Sequence, residues 1–281
     1  MVVCDRDPEG DGTFGGECTY TFVSRTGNVE NPPAEYPRMS ADARLLVYRS
    51  GIPISLGGPK LVLVTLGRGP AGAIPFPGPT DFTDVVPPWT EVGTVRYRPT
   101  AIGSFAVSAD GSHLGLTVTY RALDGDDELE RVYDYAVATG TFLRMDVDGT
   151  GTALPDRYRE DIALSGDGRR LAFAEFTDGG LLGGTEPVVR LYDRDPDADG
   201  VWYPADGEPL GAEFGSRDTA DEVVAGRGPA FSADGRYFAF VTDAGDVHNG
   251  VDDSSGLYSC LYSGWGDGLP LLDAPVNDVP V

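Results

Sequence analysis

This chain of 281 residues carries a net charge of −24 at pH 7, which excludes general electrostatic capture of nucleic acid because that requires a basic surface. Lys60 is its only lysine, so nearly all of its 21 basic residues are arginine. The content of 39 Gly and 22 Pro favours short strands joined by turns, and no apolar run reaches the roughly 18 residues that a membrane span needs.

The negative charge has three interpretations, which the sequence leaves open, and one of them is the Asp-rich, Lys-poor composition of an organism with a high-salt cytoplasm or a GC-rich genome. A solvated, self-repelling surface keeps a protein soluble and monomeric. Clustered carboxylates instead bind hard cations such as calcium. We therefore expect a monomer, and the acidic loops are the segments in which a metal site is sought.

Residues 1–24 predict two strands joined by a loop that recurs downstream. The segment from Cys4 to Phe14 aligns without gaps with the segment from Tyr192 to Trp202. The first residues have neither the charged leader nor the apolar core of a secretory signal. Since no strand precedes Val2, we expect that a leader and further sequence were removed or never included.

A nine-residue unit recurs about every 60 residues along the chain, beginning at Ser40, Ser108, Ser165 and Ser232. Three copies begin Ser-x-Asp-Gly, which predicts a tight turn between two strands because Gly adopts positive φ freely and Asp bonds to nearby backbone. The first copy has Ala43 in place of the Gly, so its turn type stays open. We predict that the four serines are structural.

The residues after each turn alternate in size. The sixth and eighth residues after the serine are large and apolar, as in Leu114 and Leu116, and the seventh after it is smaller, as in Gly115. A period of two predicts a strand, and the small residue predicts close approach of a second sheet on that face. Further apolar segments at 60–64 and 131–135 predict the third strand of their units.

The pattern Ser-x-Asp-Gly-Arg-x-apolar-Ala-Phe resembles the repeat of TolB-like, WD-repeat-like bacterial β-propellers. The resemblance covers nearly the whole chain and implies an all-β propeller of four-stranded antiparallel blades, about five in number. The predicted single domain has four full blades at 36–76, 95–150, 159–216 and 223–273, the outer strands of a closing blade at 1–24, and a closing strand at 274–281. Closure would hide the unpaired strand edges. The alternative is a piece of a longer propeller with about six or more blades.

The strongest chemical pattern is the Asp-rich loop of the third blade. Asp195, Asp197 and Asp199 alternate before a glycine, which is the spacing of a calcium-binding loop. The Val201 carbonyl would take the seventh position and Asp206 the twelfth, in a site of oxygen ligands only. The alternative is a solvated acidic hairpin.

The N-terminal copy of this loop is a weaker candidate for calcium. Asp7, Glu9 and Asp11 hold the alternating positions, but Glu replaces one Asp and Cys18 stands at the twelfth position. Calcium is thus the cofactor that we predict for both loops.

Cys4 and Cys18 flank the N-terminal hairpin. Directly opposed residues of antiparallel strands lie about 4.5 to 5.5 Å apart at Cα, within disulfide range. We predict that the two cysteines pair in an oxidising compartment and that Cys260 is free. Two buried thiols are the alternative.

The sequence contains no recognisable catalytic arrangement. His113, expected to be exposed after its turn, and His248, in an acidic loop, belong to no Ser-His-Asp or metal-ligand pattern. We predict a noncatalytic propeller, secreted or in the cell envelope, that binds a protein, small-molecule or glycan partner through the loops and central funnel of one face. The alternative is a propeller enzyme, or the noncatalytic propeller of a larger hydrolase or lyase, since fold does not decide function.

Overall fold

The computed structural model describes residues 2–5, 19–22, 34–50, 58–66, 82–176, 187–197, 199–204, 210–214, 216, 223–232, 234–235, 237–242, 258–259 and 262–263. These residues form nineteen β-strands. The described part of the chain contains no helix, and therefore none that is long and apolar enough to cross a membrane.

Antiparallel sheets follow one another along the chain. A two-stranded sheet comes first, with β1 (Val2–Asp5) and β2 (Thr19–Phe22). The first blade contains β3 (Ala34–Met39), β4 (Leu45–Ser50), β5 (Lys60–Thr65) and β6 (Phe82–Val85). The second has four blade strands, β8 (Val95–Val107), β9 (His113–Ala122), β10 (Glu128–Ala136) and β11 (Thr141–Arg144), and β7 (Thr90–Val92) is an extra strand that pairs with the start of β8. The third contains β12 (Arg159–Leu164), β13 (Arg170–Phe176), β14 (Pro187–Asp193) and β15 (Gly211–Phe214). The fourth contains β16 (Arg227–Phe231), β17 (Tyr237–Thr242), β18 (Tyr258–Ser259) and β19 (Tyr262–Ser263).

Within the first three blades each strand pairs with its sequence neighbour, and in the fourth both short strands β18 and β19 pair with β17. The first strands of successive blades contact one another, with β12 touching both β8 and β16. The prediction of an all-β propeller with four-stranded antiparallel blades is therefore confirmed. The predicted third strands at 60–64 and 131–135 are β5 and β10.

The four Ser-x-Asp turns share one set of hydrogen bonds. Each serine hydroxyl donates to the Asp carboxylate two residues on, at 2.6 to 2.7 Å. Each hydroxyl also accepts from the amide five residues after the serine, at 2.8 to 3.0 Å. A backbone hydrogen bond from the fourth residue of the unit to the serine carbonyl closes the turn. Because these hydroxyls satisfy backbone amides of their own turns, and Ser40, Ser108 and Ser165 are themselves buried, the predicted structural role is confirmed.

Ala43 adopts the same left-handed backbone conformation as the glycines of the other turns. Its φ is 55°, compared with 72° for Gly111, 77° for Gly168 and 67° for Gly235. The turn that the sequence left open is therefore the same turn. An L-residue in this conformation costs about 1–2 kcal/mol, which the hydrogen bonds of Ser40 offset.

Neighbouring turns are hydrogen-bonded to each other. The Ala41 amide donates to the Ala109 carbonyl at 2.8 Å, and the Asp110 amide donates to the Gly166 carbonyl at 3.1 Å. The side chain of Arg170 donates to the carbonyl of Gly235 in the fourth turn. The four turns thus form one continuous row at one end of the blades.

Large and small residues alternate in the second strand of each blade, and the two kinds of residue face different neighbouring blades. Leu114 and Leu116 are fully buried in an apolar core shared with the first blade. A Cβ on Gly115, between them, would lie 2.9 Å from Ile162 of the third blade. The same rule holds one blade later, where Phe173 packs toward the second blade. The predicted close approach of a second sheet is confirmed, and burying each large side chain contributes about 1.5–3 kcal/mol.

The first blade ends later than the predicted limit at 76. Its fourth strand β6 pairs with β5, with Val85 opposite Leu61. Proline disfavours strand pairing, and the four prolines at 70–79 separate this strand in sequence from the rest of its blade. Closure by 1–24 and 274–281 stays a prediction, since 274–281 lie outside the described residues.

The N-terminal strands match the third blade but do not support the predicted disulfide geometry. β1 ends at Asp5 and β14 ends at Asp193, which are the aligned residues of the two loop copies. The register places Tyr20 opposite Cys4, so the expectation of directly opposed cysteines is wrong. Cys18 and Cys260 lie outside the described residues, and the disulfide itself stays a prediction.

A buried carboxylate, Glu175 of β13, gathers arginines between the second and third blades. It accepts hydrogen bonds from Arg157, Arg159 and Arg190 at 3.0 to 3.3 Å. Glu175 is 0% exposed and Arg159 1%. Charges removed from water to this extent are stable only when paired and hydrogen-bonded, so these four side chains depend on one another.

Asp146 forms the second centre of this ionic cluster. It is fully buried and accepts from Arg144 at 2.7 and 2.9 Å, while Arg131 and Arg159 lie at 3.8 and 3.6 Å from its carboxylate. The four residues from Asp146 to Gly149 form a short Asp-x-Asp-Gly motif, for which the sequence alone predicts only a turn. That holds for Asp148, whose carboxylate bonds to the backbone of the same turn, and is wrong for Asp146.

Candidate functional site

The Asp-rich loop joins β14 to β15 at the edge of the third blade. Asp195 is 4% exposed, whereas Asp197 and Asp199 are exposed. One carboxylate oxygen from each lies within 4.8 Å of the other two. Calcium binds oxygen ligands at about 2.3–2.6 Å, so three oxygens at these separations can share one ion.

Asp195 has a buried oxygen without a partner. Its Oδ1 accepts no hydrogen bond from the part of the chain that the structure describes, whereas Oδ2 accepts one from the Gly200 amide at 3.3 Å. An unsatisfied buried acceptor costs about 1–3 kcal/mol, and more when it is charged. A cation between the three carboxylates would satisfy this oxygen, which fits the chemistry of an all-oxygen calcium site.

Two arginines fix the base of the loop. Arg169 and Arg170 donate to the carboxylate of Asp193 at 2.6 to 2.9 Å, and Arg169 also donates to the Asp195 carbonyl. Burial alone would raise the pKa of Asp193, but hydrogen bonds from Arg169, the Asp195 amide and Arg170 outweigh it and hold that pKa below its usual range. The three acidic side chains therefore extend from a rigid base.

The remaining predicted ligands are only partly covered by the structure. The Val201 amide donates to Asp199 Oδ1 at 2.7 Å, which keeps this residue beside the carboxylates. The other candidates lie outside the described residues: Asp206, Asp7, Glu9 and Asp11.

His113 is largely buried, contrary to the prediction. Its side chain is 14% exposed, and Nδ1 lies 2.9 Å from the Asp134 carboxylate, to which Arg194 also donates at 2.7 Å. The Trp202 ring lies 5.6 Å from the His113 ring and 5.0 Å from the Arg194 guanidinium. Because Arg194 and Trp202 flank the Asp-rich loop, they attach that loop to the second blade. No local pattern indicates this contact between distant segments.

A second candidate site is a cavity of about 660 Å³ where the first strands of four blades meet. Its walls come from β3, β8, β12 and β16, with Thr119 and Glu130 also lining it. Burial raises the pKa of Glu130, although the Arg159 amide and the Thr119 hydroxyl donate to its carboxylate. We call this space the central cavity. Its volume is typical of small-molecule sites.

Each of these four wall strands carries a β-bulge that includes the fourth residue before its turn serine. Across each bulge the first strand of the blade advances by three residues while the paired second strand advances by two. The first strand therefore contains one extra residue. The bulges lie between Glu35 and Arg38, Ile102 and Phe105, Glu160 and Ala163, and Arg227 and Ala230. No local sequence pattern predicts them, although every bulge includes the fourth residue before its turn serine.

The bulge position shows backbone strain in two blades. Tyr36 and Asp161, four residues before their turn serines, have φ of 52° and 53°, and Gly228 at the same position has 58°. Non-glycine residues at positive φ are uncommon, and such strain is found at binding sites when the surroundings enforce it. Hydrogen bonds link the bulges, from the Gly228 amide to Asp161 and from the Ile162 amide to the Ser104 hydroxyl, both at 3.3 Å.

The two strained walls of the central cavity differ in charge. In the first blade, Arg49 donates to Glu35 at 2.7 Å and its guanidinium lies 4.5 Å from the centre of the Tyr36 ring. In the third blade, the Tyr158 hydroxyl donates to Glu160 at 3.0 Å. The first wall is aromatic and cationic, and the third is aromatic and acidic.

No protein-family model and no curated protein matches this chain. A solved structure described as one of two prolyl endopeptidases is similar at 15% identity and a TM-score of 0.43, over 85% of this chain and 29% of that one. The Dos1 propeller is 11% identical with a TM-score of 0.36, over 75% and 43%. The periplasmic gluconolactonase PpgL of Pseudomonas aeruginosa is 21% identical with a TM-score of 0.28, over 75% and 49%. The chain thus spans less than half of each of these proteins, and likenesses of this size carry no argument about function.

Proposed function

We propose that this chain is a noncatalytic, TolB-like, WD-repeat-like propeller that binds a partner in its central cavity. One observation carries the proposal: the residues that join the blades repeat, whereas those that face the cavity do not. The four turn serines and their hydrogen bonds are the same, but the bulge position holds Tyr36, Ser104, Asp161 and Gly228. Such divergence is expected where one ligand contacts each blade differently.

The experiment is a thermal-shift screen of small molecules, peptides and glycans with the double variant Tyr36→Gly, Asp161→Gly as its comparison. Glycine already stands at this position in the fourth blade, at the same positive φ, so both substitutions suit the local backbone. Compounds that bind in the cavity raise the Tm of the native protein and lose that effect in the variant. Equal shifts in both proteins would mean that ligands bind elsewhere.

The Asp-rich loop is proposed to hold a calcium ion that attaches the edge of the third blade to the second. The cluster of three carboxylates, the unpaired buried Oδ1 of Asp195, and the contact of Arg194 and Trp202 with His113 support this. An ion that binds only the folded state stabilises it by about 2.7 kcal/mol at a hundredfold excess over Kd.

The test compares thermal unfolding of the native protein and of Asp197→Ala in EDTA and in millimolar calcium. Calcium should raise the native Tm by about 5 °C or more, and the substitution should remove most of that gain. Asp126→Ala is the control, because its side chain is 93% exposed on another loop. If both variants respond to calcium as the native protein does, or if sodium chloride stabilises all three equally, the carboxylates are only solvated charge.

Three further features belong to the proposal. The protein is a monomer, it is secreted or lies in the cell envelope, and residues 1–24 and 274–281 supply its closing blade. The closing blade is supported by Leu46 and Tyr48, which are 2% and 4% exposed. They are the sixth and eighth residues after the turn serine, and their counterparts in later blades pack against a preceding sheet.

A propeller enzyme is the second candidate, favoured by one observation. Glu130, with its pKa raised by burial, lines the central cavity together with Glu160 and Asp161. A carboxyl group whose pKa is raised, placed in a cavity beside further carboxyl groups, is a candidate general acid. Turnover of a ligand by the native protein, lost in Glu130→Gln while binding persists, would place the chain in this class.

A further inference from the structure

Arg38 breaks the internal repeat inside the central cavity. It stands two residues before the turn serine, where the other blades have Ala106, Ala163 and Ala230. Arg38 is exposed and lines the cavity. Its only described hydrogen bond goes to the Pro37 carbonyl, at 3.1 Å. A large charged side chain in place of three alanines indicates a requirement of the cavity rather than of the blade.

The donors of Arg38 are available to a ligand. No carboxylate lies within 4 Å of its guanidinium among residues 34–50, 58–66 and the rest of the described chain. Arg49, on the same wall, is instead occupied by Glu35 and by the Ile102 carbonyl at 2.9 Å. A guanidinium presents its donors as a planar fork that matches a carboxylate. The first wall therefore presents one site for a carboxylate group.

The third wall presents the opposite charge. Glu160 accepts from the Tyr158 hydroxyl, and Asp161 accepts from the Gly228 amide. Each carboxylate keeps further acceptor sites, and neither has an arginine or lysine partner among the described ion pairs. These two side chains favour a cationic group or a set of N–H donors.

We propose that the central cavity binds a small zwitterion, with its carboxylate on Arg38 and its cationic group on Glu160 and Asp161. This rests on the proposed function, since it names the ligand class of that same site. A volume of about 660 Å³ suits a ligand of the size of a short peptide. The rings of Tyr36 and Tyr158, 58% and 55% exposed, offer faces for the body of the ligand. The net charge of −24 draws in the cationic end and repels polyanions.

The experiment uses trialanine as the probe, with its C-terminal amide and its N-acetyl form as matched controls, in calorimetric titrations at low salt. The native protein should bind trialanine about 10- to 100-fold more tightly than the C-terminal amide, because a hydrogen-bonded charge pair is lost. Arg38→Ala, which installs the residue of the other three blades, should weaken trialanine binding by the same factor and leave the amide unaffected. Arg44→Ala is the control, since this arginine is 70% exposed in the turn of the same blade. Glu160→Gln should weaken trialanine more than its N-acetyl form.

Equal binding of trialanine by the native protein and Arg38→Ala, or equal binding of trialanine and its amide, would overturn the inference. A uronic acid disaccharide that binds through Arg38 while trialanine does not would also overturn it, in favour of an acidic sugar. If neither probe binds but the screen above yields cavity-dependent ligands, the zwitterion is wrong and the binding function stands. If the screen also yields none, both are wrong.

Discussion

Exchanging glycine and alanine at the fourth position of the turns should have opposite effects in different blades. Ala43 has a φ of 55°, so Ala43→Gly removes a strain of about 1–2 kcal/mol and adds about 0.4–1 kcal/mol of unfolded-chain entropy. The net expectation is a stabilisation of about 0.5–1 kcal/mol, or about 1–3 °C in Tm for a chain of this size.

The reverse substitutions follow the space around each glycine. A Cβ at Gly111 would lie 3.3 Å from its nearest neighbours and one at Gly235 3.2 Å from Ser165, so each alanine costs about 1 kcal/mol, chiefly from backbone strain. A Cβ at Gly168 would lie 2.7 Å from the ring of His113, which Asp134 and Trp202 hold in place. Overpacking adds about 1–3 kcal/mol there, giving about 2–4 kcal/mol in all.

The assay is thermal or urea unfolding of the four single variants at one pH and calcium concentration. The expected order of Tm is Ala43→Gly above native, then Gly111→Ala and Gly235→Ala, with Gly168→Ala lowest. A lower Tm for Ala43→Gly would show that the first turn is not strained in solution. A Gly168→Ala variant as stable as Gly111→Ala would show that the second and third blades are not packed through His113.

Two further predictions concern buried charge. Glu175→Gln should lower the free energy of unfolding by about 3–5 kcal/mol, because three arginines lose their shared anion. Asp126→Asn, at an exposed ion pair, should change it by less than about 1 kcal/mol. Chemical denaturation measures both values, and similar losses in the two variants would contradict the burial of the cluster. The pKa of Asp193 is lower in the folded protein than its ordinary value of 3.8, so its stabilising effect is complete above that value and is lost as the pH falls through the folded pKa. In Tm measured against pH, Asp193→Asn should therefore be less stable than the native protein at neutral pH, with the difference shrinking below about pH 4; a gap that stays constant down to pH 2 would refute the assignment.

The turns and the strand alternation could be predicted because their causes are local. A serine, an aspartate and a glycine within four residues specify the turn at Ser165 and its hydrogen bonds. Alternation around Gly115 specifies which side chains face each neighbouring blade. The Asp-rich loop was found for the same reason, since its three carboxylates are separated by single residues.

The features that were missed depend on contacts between distant segments. His113 is shielded by Trp202 from the next blade, and Asp146 by arginines from two blades. The local sequence around each of these two residues is the same kind of sequence that an exposed turn has. The sequence does mark the position of the bulges, because the residues before the turn serines differ between blades while the turns repeat. That difference does not show a bulge, however, which only the pairing register of the strands identifies.

Three apolar cores each belong to one pair of consecutive blades, and the hydrogen bonds between turns follow the same pairwise order. Energetic coupling therefore passes from neighbour to neighbour. Substitutions in adjacent blades are coupled, whereas the effects of substitutions two blades apart approach simple addition. The central cavity differs from this order, because its lining comes from all four blades and a ligand bound there would contact all of them. A ligand bound in the central cavity would therefore couple all four blades, so that they unfold together instead of being coupled only to their neighbours.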